Sequence, residues 1–179
     1  MRRVVLYQLL TLDGVAEEPG DWMTDGGPEV FANLERVIAT QDTVLLGRGT
    51  HDYWAGFWPH DGPDPFRSFI NGTPKHVVTS RPVDADWAGT VVVDRPVEEH
   101  VRELTAADGG DIGVHGSTTL ARSLVRAGLV DDFRLVVAAA LAGHGQRLFT
   151  EPDALRRLEL VDLARTPAGT LLLHYRRAG

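Results

Sequence analysis

The stretch Asp111-Ile112-Gly113-Val114-His115-Gly116-Ser117-Thr118-Thr119-Leu120 decides how the rest of the chain is read. Its first half is a short apolar run of strand type. Its second half empties onto glycine and three hydroxyl residues before a helical apolar period begins at Leu120. The first N–H groups of a helix that starts here have no partner inside the helix. Gly116 carries no Cβ to keep a ligand off the backbone, and the Ser117, Thr118 and Thr119 hydroxyls stand beside those N–H groups. Two readings are open for this motif alone: a cradle for a pyrophosphate, or an ordinary turn capped by Ser117. The spacing is neither GxGxxG nor a P-loop.

Outward from this turn the same alternation repeats. Leu120, Ala121, Leu124 and Val125 share one helix face, and Gly128 is placed to close the helix in the left-handed conformation. Pro28 opens a second helix carrying Val30, Phe31, Leu34, Val37 and Ile38, and Pro96 opens a third with Val97, Val101 and Leu104. Between them lie apolar runs at Val4–Leu10, Thr43–Leu46, His76–Thr79, Thr90–Val93, Asp111–His115 and Phe133–Ala140. Most lack polar alternation, as strands buried on both faces do. Strands alternating with helices predict crossover connections and a mainly parallel sheet. The runs Arg157–Leu163 and Thr170–Tyr175, separated by Thr166-Pro167-Ala168-Gly169, predict a C-terminal antiparallel hairpin. The segment Trp54–Asn71, dense in Trp, Phe, Pro and Gly, reads as a long apolar loop.

Composition narrows the chemistry. The 179 residues include no cysteine, which excludes disulfides and thiolate metal sites, so redox chemistry must come from a cofactor. A net charge of −7 argues against nonspecific nucleic-acid binding but leaves room for a phosphate ligand held by a few cations and N–H groups. Gln8, Thr11 and Asp13 interrupt the apolar start, so Met1–Leu10 is expected to be a buried strand rather than a signal peptide, and no run approaches the ~20 apolar residues of a membrane span.

Two further strand ends repeat the layout of the first. Val44-Leu45-Leu46-Gly47-Arg48-Gly49-Thr50 offers one guanidinium and one hydroxyl in a glycine turn, and Arg48 is equipped for bidentate phosphate binding or for simple solvation. Lys75-His76-Val77-Val78-Thr79-Ser80-Arg81-Pro82 ends in two hydroxyls and a guanidinium, a trio that suits a ribose 2′-phosphate or a polar loop stopped by Pro82. Strand ends gathered on one edge of a parallel sheet are where open α/β folds bind ligands.

These three segments, in this order, resemble the dihydrofolate reductase superfamily, and in particular the reductase branch related to the C-terminal half of the riboflavin-biosynthesis deaminase-reductase. Thr11-Leu12-Asp13-Gly14 is similar to its Ser-Leu-Asp-Gly element. Gly128-Leu129-Val130-Asp131-Asp132-Phe133 and Leu141-Ala142-Gly143-His144-Gly145-Gln146-Arg147-Leu148-Phe149 are similar to its later signatures. The resemblance implies a three-layer α/β fold in one domain over residues 1–179, with a mainly parallel central sheet, helices on both faces and a C-terminal antiparallel hairpin. It also implies a cytoplasmic homodimer that binds NADPH. Gly47, Arg48 and Thr50 would then touch the cofactor phosphates, Thr79, Ser80 and Arg81 the 2′-phosphate, and Gly116, Ser117, Thr118 and Thr119 the pyrophosphate and nicotinamide side.

Two departures stand out. Gly116-Ser117 replaces the usual Gly-Gly pair, and Phe31 falls near the place where folate-reducing members carry an acidic pterin anchor. No zinc-binding deaminase motif occurs, so a stand-alone reductase domain is expected. The implied activity is hydride transfer from NADPH to a small planar heterocycle, pteridine- or pyrimidine-like, of the 5-amino-6-(5-phosphoribosylamino)uracil type. A non-catalytic, dimeric nucleotide- or ligand-binding module of the same fold is the alternative.

Individual residues carry open readings. Asp13 either orients a substrate or its proton donor, or simply fills an Asp-Gly turn. His115 is a catalytic group or a strand-end polar residue. Trp22 lies where the superfamily has a loop over the nicotinamide, and it either closes the site or folds onto the core. Trp54, with its aromatic neighbours, lines a substrate pocket beside Phe31 or packs core and interface. His51, Asp52 and His60 match no metal-ligand spacing, and no metal is expected.

Overall fold

The computed structural model describes residues 1–24, 26–150 and 154–178. In chain order the elements are β1 (Val4–Thr11), α1 (Pro19–Trp22), α2 (Pro28–Ile38), β2 (Gln41–Gly47), α3 (Arg48–Ala55), α4 (Phe66–Gly72), β3 (Lys75–Val78), β4 (Thr90–Val93), α5 (Val97–Ala106), β5 (Asp111–His115), α6 (Thr118–Arg126), β6 (Asp132–Ala138), β7 (Leu158–Arg165) and β8 (Leu171–Arg177). The strands form one sheet in the order β4-β3-β2-β5-β1-β6-β8-β7. Neighbours from β4 through β6 are parallel, and β8 and β7 run antiparallel at the far side.

Alternation of side chains across the strands divides the core between two faces. Leu45, Ile112, Val114, Val4 and Leu6 meet Val97 and Val101 of α5 and Leu120, Ala121 and Leu124 of α6. Val44 and Leu46 meet Ile38, Phe66, Ile70 and Trp87 on the opposite face, while Val5 and Tyr7 meet Val30 and Val37 of α2. Helices on both faces make three layers. Each fully buried aliphatic side chain contributes roughly 1.5–3 kcal/mol relative to exposure. Among the described residues no helix is long and apolar enough to cross a membrane.

The expected strands are present within one or two residues, and the predicted C-terminal hairpin is β7–β8. Burial on both faces holds for the central strands but fails at the margins: Val91 and Val92 of the edge strand β4 are exposed, as are all eight residues of β7. The expected loop at Trp54–Asn71 instead begins on the last turn of α3 and contains most of α4. Stacked aromatic rings, not helix propensity, hold this region: Trp58 meets Phe66 edge-on at 4.9 Å and Trp54 at 6.0 Å. Gly128, at φ +69°, closes α6, with its own N–H bonded to the Val125 carbonyl and the Leu129 N–H to that of Leu124.

Candidate functional site

The C-terminal ends of β2, β3, β4 and β5 open onto one cavity of about 1520 Å³, bounded on its other sides by α1, α2, α3 and the loop before α4. Gly47, Arg48, Thr50, Thr79, Ser80, Arg81, Gly116, Ser117, Thr118 and Thr119 all line it, so the three strand ends singled out in the sequence converge in space. Phe31 and Trp54 line it too. A fourth strand end, Asp94-Arg95 after β4, joins them and was missed. The rule that selected the other three, polar residues just after an apolar strand, applies to it equally.

Ser117 occupies the N-cap position of α6 but makes no capping bond. Its hydroxyl accepts the Gly47 N–H at 2.9 Å, tying the end of β2 to the end of β5. Neither α3 nor α6 has a side-chain cap, so the first N–H groups of two adjacent helices are left for another acceptor. A Cβ built on Gly49, in the first turn of α3, would meet nothing within 4 Å. Two open helix starts side by side fit the two phosphates of a dinucleotide.

Three cations, Arg48, Arg81 and Arg95, line the same cavity. Arg48 Nη1 donates to Asp52 at 3.1 Å and to Asp84 at 2.8 Å, which fixes the guanidinium at the cavity wall. Burial alone would raise the Asp52 carboxyl. Hydrogen bonds from His51 and the Asp84 N–H, with the charge of Arg48, outweigh it and keep the group ionised below its ordinary range. His51 is fully buried between Asp52 and Thr90, so its two ring nitrogens are committed within the fold. The Thr79 hydroxyl donates to the Arg81 carbonyl at 2.6 Å and accepts the Arg81 N–H at 3.0 Å, which fixes the turn that presents Arg81. Arg95 donates to Glu103 at 2.8 Å and to His100 at 2.9 Å.

The structure assigns Gly116 a different neighbour from the one expected. At φ +67° its Cβ would lie 2.6 Å from Trp54 Cζ2, so the missing side chain makes room for the indole ring. Trp54 thereby becomes the wall between the glycine turn and the aromatic end of the cavity.

Three of the expected site residues have partners within the fold. His115 lines the cavity, and it is buried, packed among Tyr7, Phe66 and Phe69, and bonded through Nε2 to Gln41 at 2.8 Å. Burial pushes its pKa down to about 3, so the ring is neutral at ordinary pH. Asp13 does not line the cavity; its carboxylate accepts the Thr11 hydroxyl at 2.6 Å and the Ala142 and Gly143 N–H groups at 3.1 and 3.0 Å, and it pairs with Arg147. Those bonds, the Thr11 hydroxyl foremost, hold it well below the usual carboxylate range. Asp13 is thus a clamp between two loops, one of which carries Gln146 to the cavity, where it meets the Thr118 hydroxyl at 3.2 Å. Trp22 also lies outside the lining, with its indole N–H on the Glu17 carbonyl at 2.8 Å; Met23 takes the wall position.

The fold and this edge define a three-layer α/β protein with a cavity at the C-terminal ends of parallel strands. The chain belongs to the RibD C-terminal domain family, whose model matches residues 2–172. It is 28% identical to the uncharacterized protein YyaP of Bacillus subtilis (strain 168) over 181 residues, covering 97% of this chain and 94% of that one. The uncharacterized protein YwjB of the same organism is 26% identical over 180 residues, with 99% of each chain covered. Among solved structures, a Shewanella sp. PV-4 protein described as belonging to riboflavin biosynthesis superposes with a TM-score of 0.78 at 16% identity, over 99% of each chain. The Thermotoga maritima diaminohydroxyphosphoribosylaminopyrimidine deaminase/5-amino-6-(5-phosphoribosylamino)uracil reductase gives 0.70 at 16% identity, matching 99% of this chain and 57% of that longer one. At these identities the structures establish the shared fold.

Proposed function

We propose that this chain is an NADPH-dependent reductase that acts, as one domain, on a small planar heterocycle of the pteridine or pyrimidine kind. The observation that carries the reading is the pair of uncapped helix starts joined by the Gly47–Ser117 bond, with Arg48 on one side and the Thr79-Ser80-Arg81 turn beyond it. NADPH held there would supply a hydride from its nicotinamide C4, and the reduced group would take the accompanying proton from water. The first-turn N–H groups of α3 and α6 hold the pyrophosphate, Arg48 adds charge beside it, and Arg81 with Thr79 and Ser80 reads the 2′-phosphate. Thr50, Thr118 and Thr119 lend hydroxyls along the path. Trp54 and Phe31 form apolar walls that orient a flat ring and exclude water.

The protein acts in the cytoplasm as a homodimer on this reading. Support for the dimer comes from β7, an edge strand carrying Leu158, Leu160, Val161 and Leu163 at 39–54% exposure. A second copy related by a twofold axis would cover that edge.

One observation favours a second reading, a binding module without turnover: His115 is neutral and Asp13 lies elsewhere, so neither delivers a proton. Incubating the protein with NADPH and a panel of cyclic imines, pterins and aminouracils separates the two. The reductase reading expects stoichiometric loss of NADPH with at least one class. Tight NADPH binding with no turnover across the panel would favour the module.

A further inference from the structure

The cavity's charges are distributed unevenly. Its lining cations, among the described residues, are Arg48, Arg81 and Arg95, and all three sit just beyond β2, β3 and β4. Under the reductase reading Arg48 and Arg81 belong to the cofactor phosphates; Arg48 is also shared with two carboxylates, and Arg95 is already bonded to Glu103 and His100. The other end of the cavity is built from two segments of the opposite character. Residues 4–35 contain no Lys, Arg or His and seven Asp or Glu, and residues 49–66 contain no Lys or Arg. Glu18 lines the cavity and is exposed; Glu17 lines it as well, with its carboxylate accepting the Gln146 N–H at 3.1 Å near the start of α6. The rest of that end is aromatic, with Phe31, Trp54, Phe57 and Trp58 lining it.

A phosphate ester brought there would carry its negative charge among segments with no Lys or Arg to pair it, in a cavity that Glu18 also lines. Bound phosphates are ordinarily met by Arg, Lys or a helix N-terminus; the starts of α3 and α6 are those used by the cofactor, and the other two helix starts of eight or more residues at the cavity, those of α2 and α5, carry their own carboxylates in the first turn, Glu29 and Glu98 with Glu99. A flat ring without a phosphate meets none of these penalties and gains stacking area against the aromatic walls. A ring bearing positive charge gains further from the same faces and from the glutamates.

We propose, on the strength of the reductase reading, that the substrate is a flat nitrogen heterocycle without a phosphate or other anionic group, neutral or positively charged. The chain therefore departs from the phosphoribosyl substrate for which its Thermotoga maritima structural neighbour is named.

The test uses the full chain saturated with NADPH and matched pairs of probes: 6-hydroxymethylpterin with its phosphate ester, and 5-amino-6-ribosylaminouracil with its 5′-phosphate. Binding is read from tryptophan fluorescence. The unphosphorylated member of at least one pair should bind at least tenfold more tightly than its ester. Glu18→Gln should shrink that ratio several-fold while leaving NADPH affinity unchanged. An ester bound as tightly as its parent, or failure of all four probes to bind, would overturn the proposal. NADPH binding, measured first on the same sample, distinguishes the outcomes, because loss of that binding counts against the reductase reading itself.

Discussion

The Gly47 N–H and the Ser117 hydroxyl meet at 2.9 Å, and this bond joins two strands whose ends each begin a helix with no side-chain cap. The spacing of the two helix starts depends on it. Ser117→Ala should weaken NADPH by about 0.5–1.5 kcal/mol, or roughly 2–13-fold, the typical net worth of one hydrogen bond. Isothermal titration of both proteins checks this, with unfolding midpoints showing that the fold is retained.

Gly116 and Trp54 form a second dependent pair. A methyl at residue 116 would sit 2.6 Å from the indole and would also force an L side chain to φ +67°. Gly116→Ala should destabilise the chain by about 1–3 kcal/mol and shift the fluorescence of Trp54 as the ring moves. Urea denaturation with the emission spectrum recorded in native buffer measures both.

The layout of this site is legible in the sequence, and its interior is not. Strand ends were legible because β2, β3 and β5 are apolar runs that stop abruptly at polar or glycine residues, and parallel topology then brings them to one edge. The α3–α4 region was not legible. Gly49, Gly56, Gly62, Pro63 and Pro65 obscure its helical period, and its order comes from ring contacts such as Trp58 with Phe66 that no local pattern announces. Ser117 was placed correctly at the head of α6, but its partner is 70 residues away, so the hydroxyl's use as a tie rather than a cap was invisible. Asp13 looked functional as an isolated carboxylate after a strand. Its role as a loop clamp depends on Ala142, Gly143 and Arg147, which only tertiary structure brings near.

His115 makes acid stability testable. Its folded pKa of about 3 lies below the ordinary value of 6.5, because burial disfavours the charged ring. As pH falls below about 6.5 the unfolded chain takes up a proton that the native chain refuses, so stability declines, by up to ~1.4 kcal/mol per pH unit, until about pH 3. His76 and His100 are shifted in the same direction and add to the slope. His115→Phe keeps a flat ring beside Phe66 and Phe69 and should flatten the decline between about pH 4 and 6.5. Thermal melts of both proteins across that range would show it; parallel slopes would not fit.

Dimerisation through β7 has a direct readout. Leu163 is 54% exposed and lies opposite Leu173 of β8, on the same sheet face as Leu160. A charge placed there should prevent apolar contact with a second copy at little cost to the exposed strand itself. Leu163→Glu is expected to sediment as a monomer where the parent sediments as a dimer, with an unchanged circular dichroism spectrum.

The central claim is that the three strand ends hold NADPH, with Arg81 reading its 2′-phosphate. The most direct measurement titrates the purified chain and its Arg81→Ala variant with NADPH and with NADH, following quenching of tryptophan emission. Saturable binding of NADPH is predicted, tighter than NADH by about 1–3 kcal/mol, with the preference lost in Arg81→Ala through weaker NADPH binding alone. No binding of either nucleotide to the parent chain, or an equal loss for both in the variant, would contradict it.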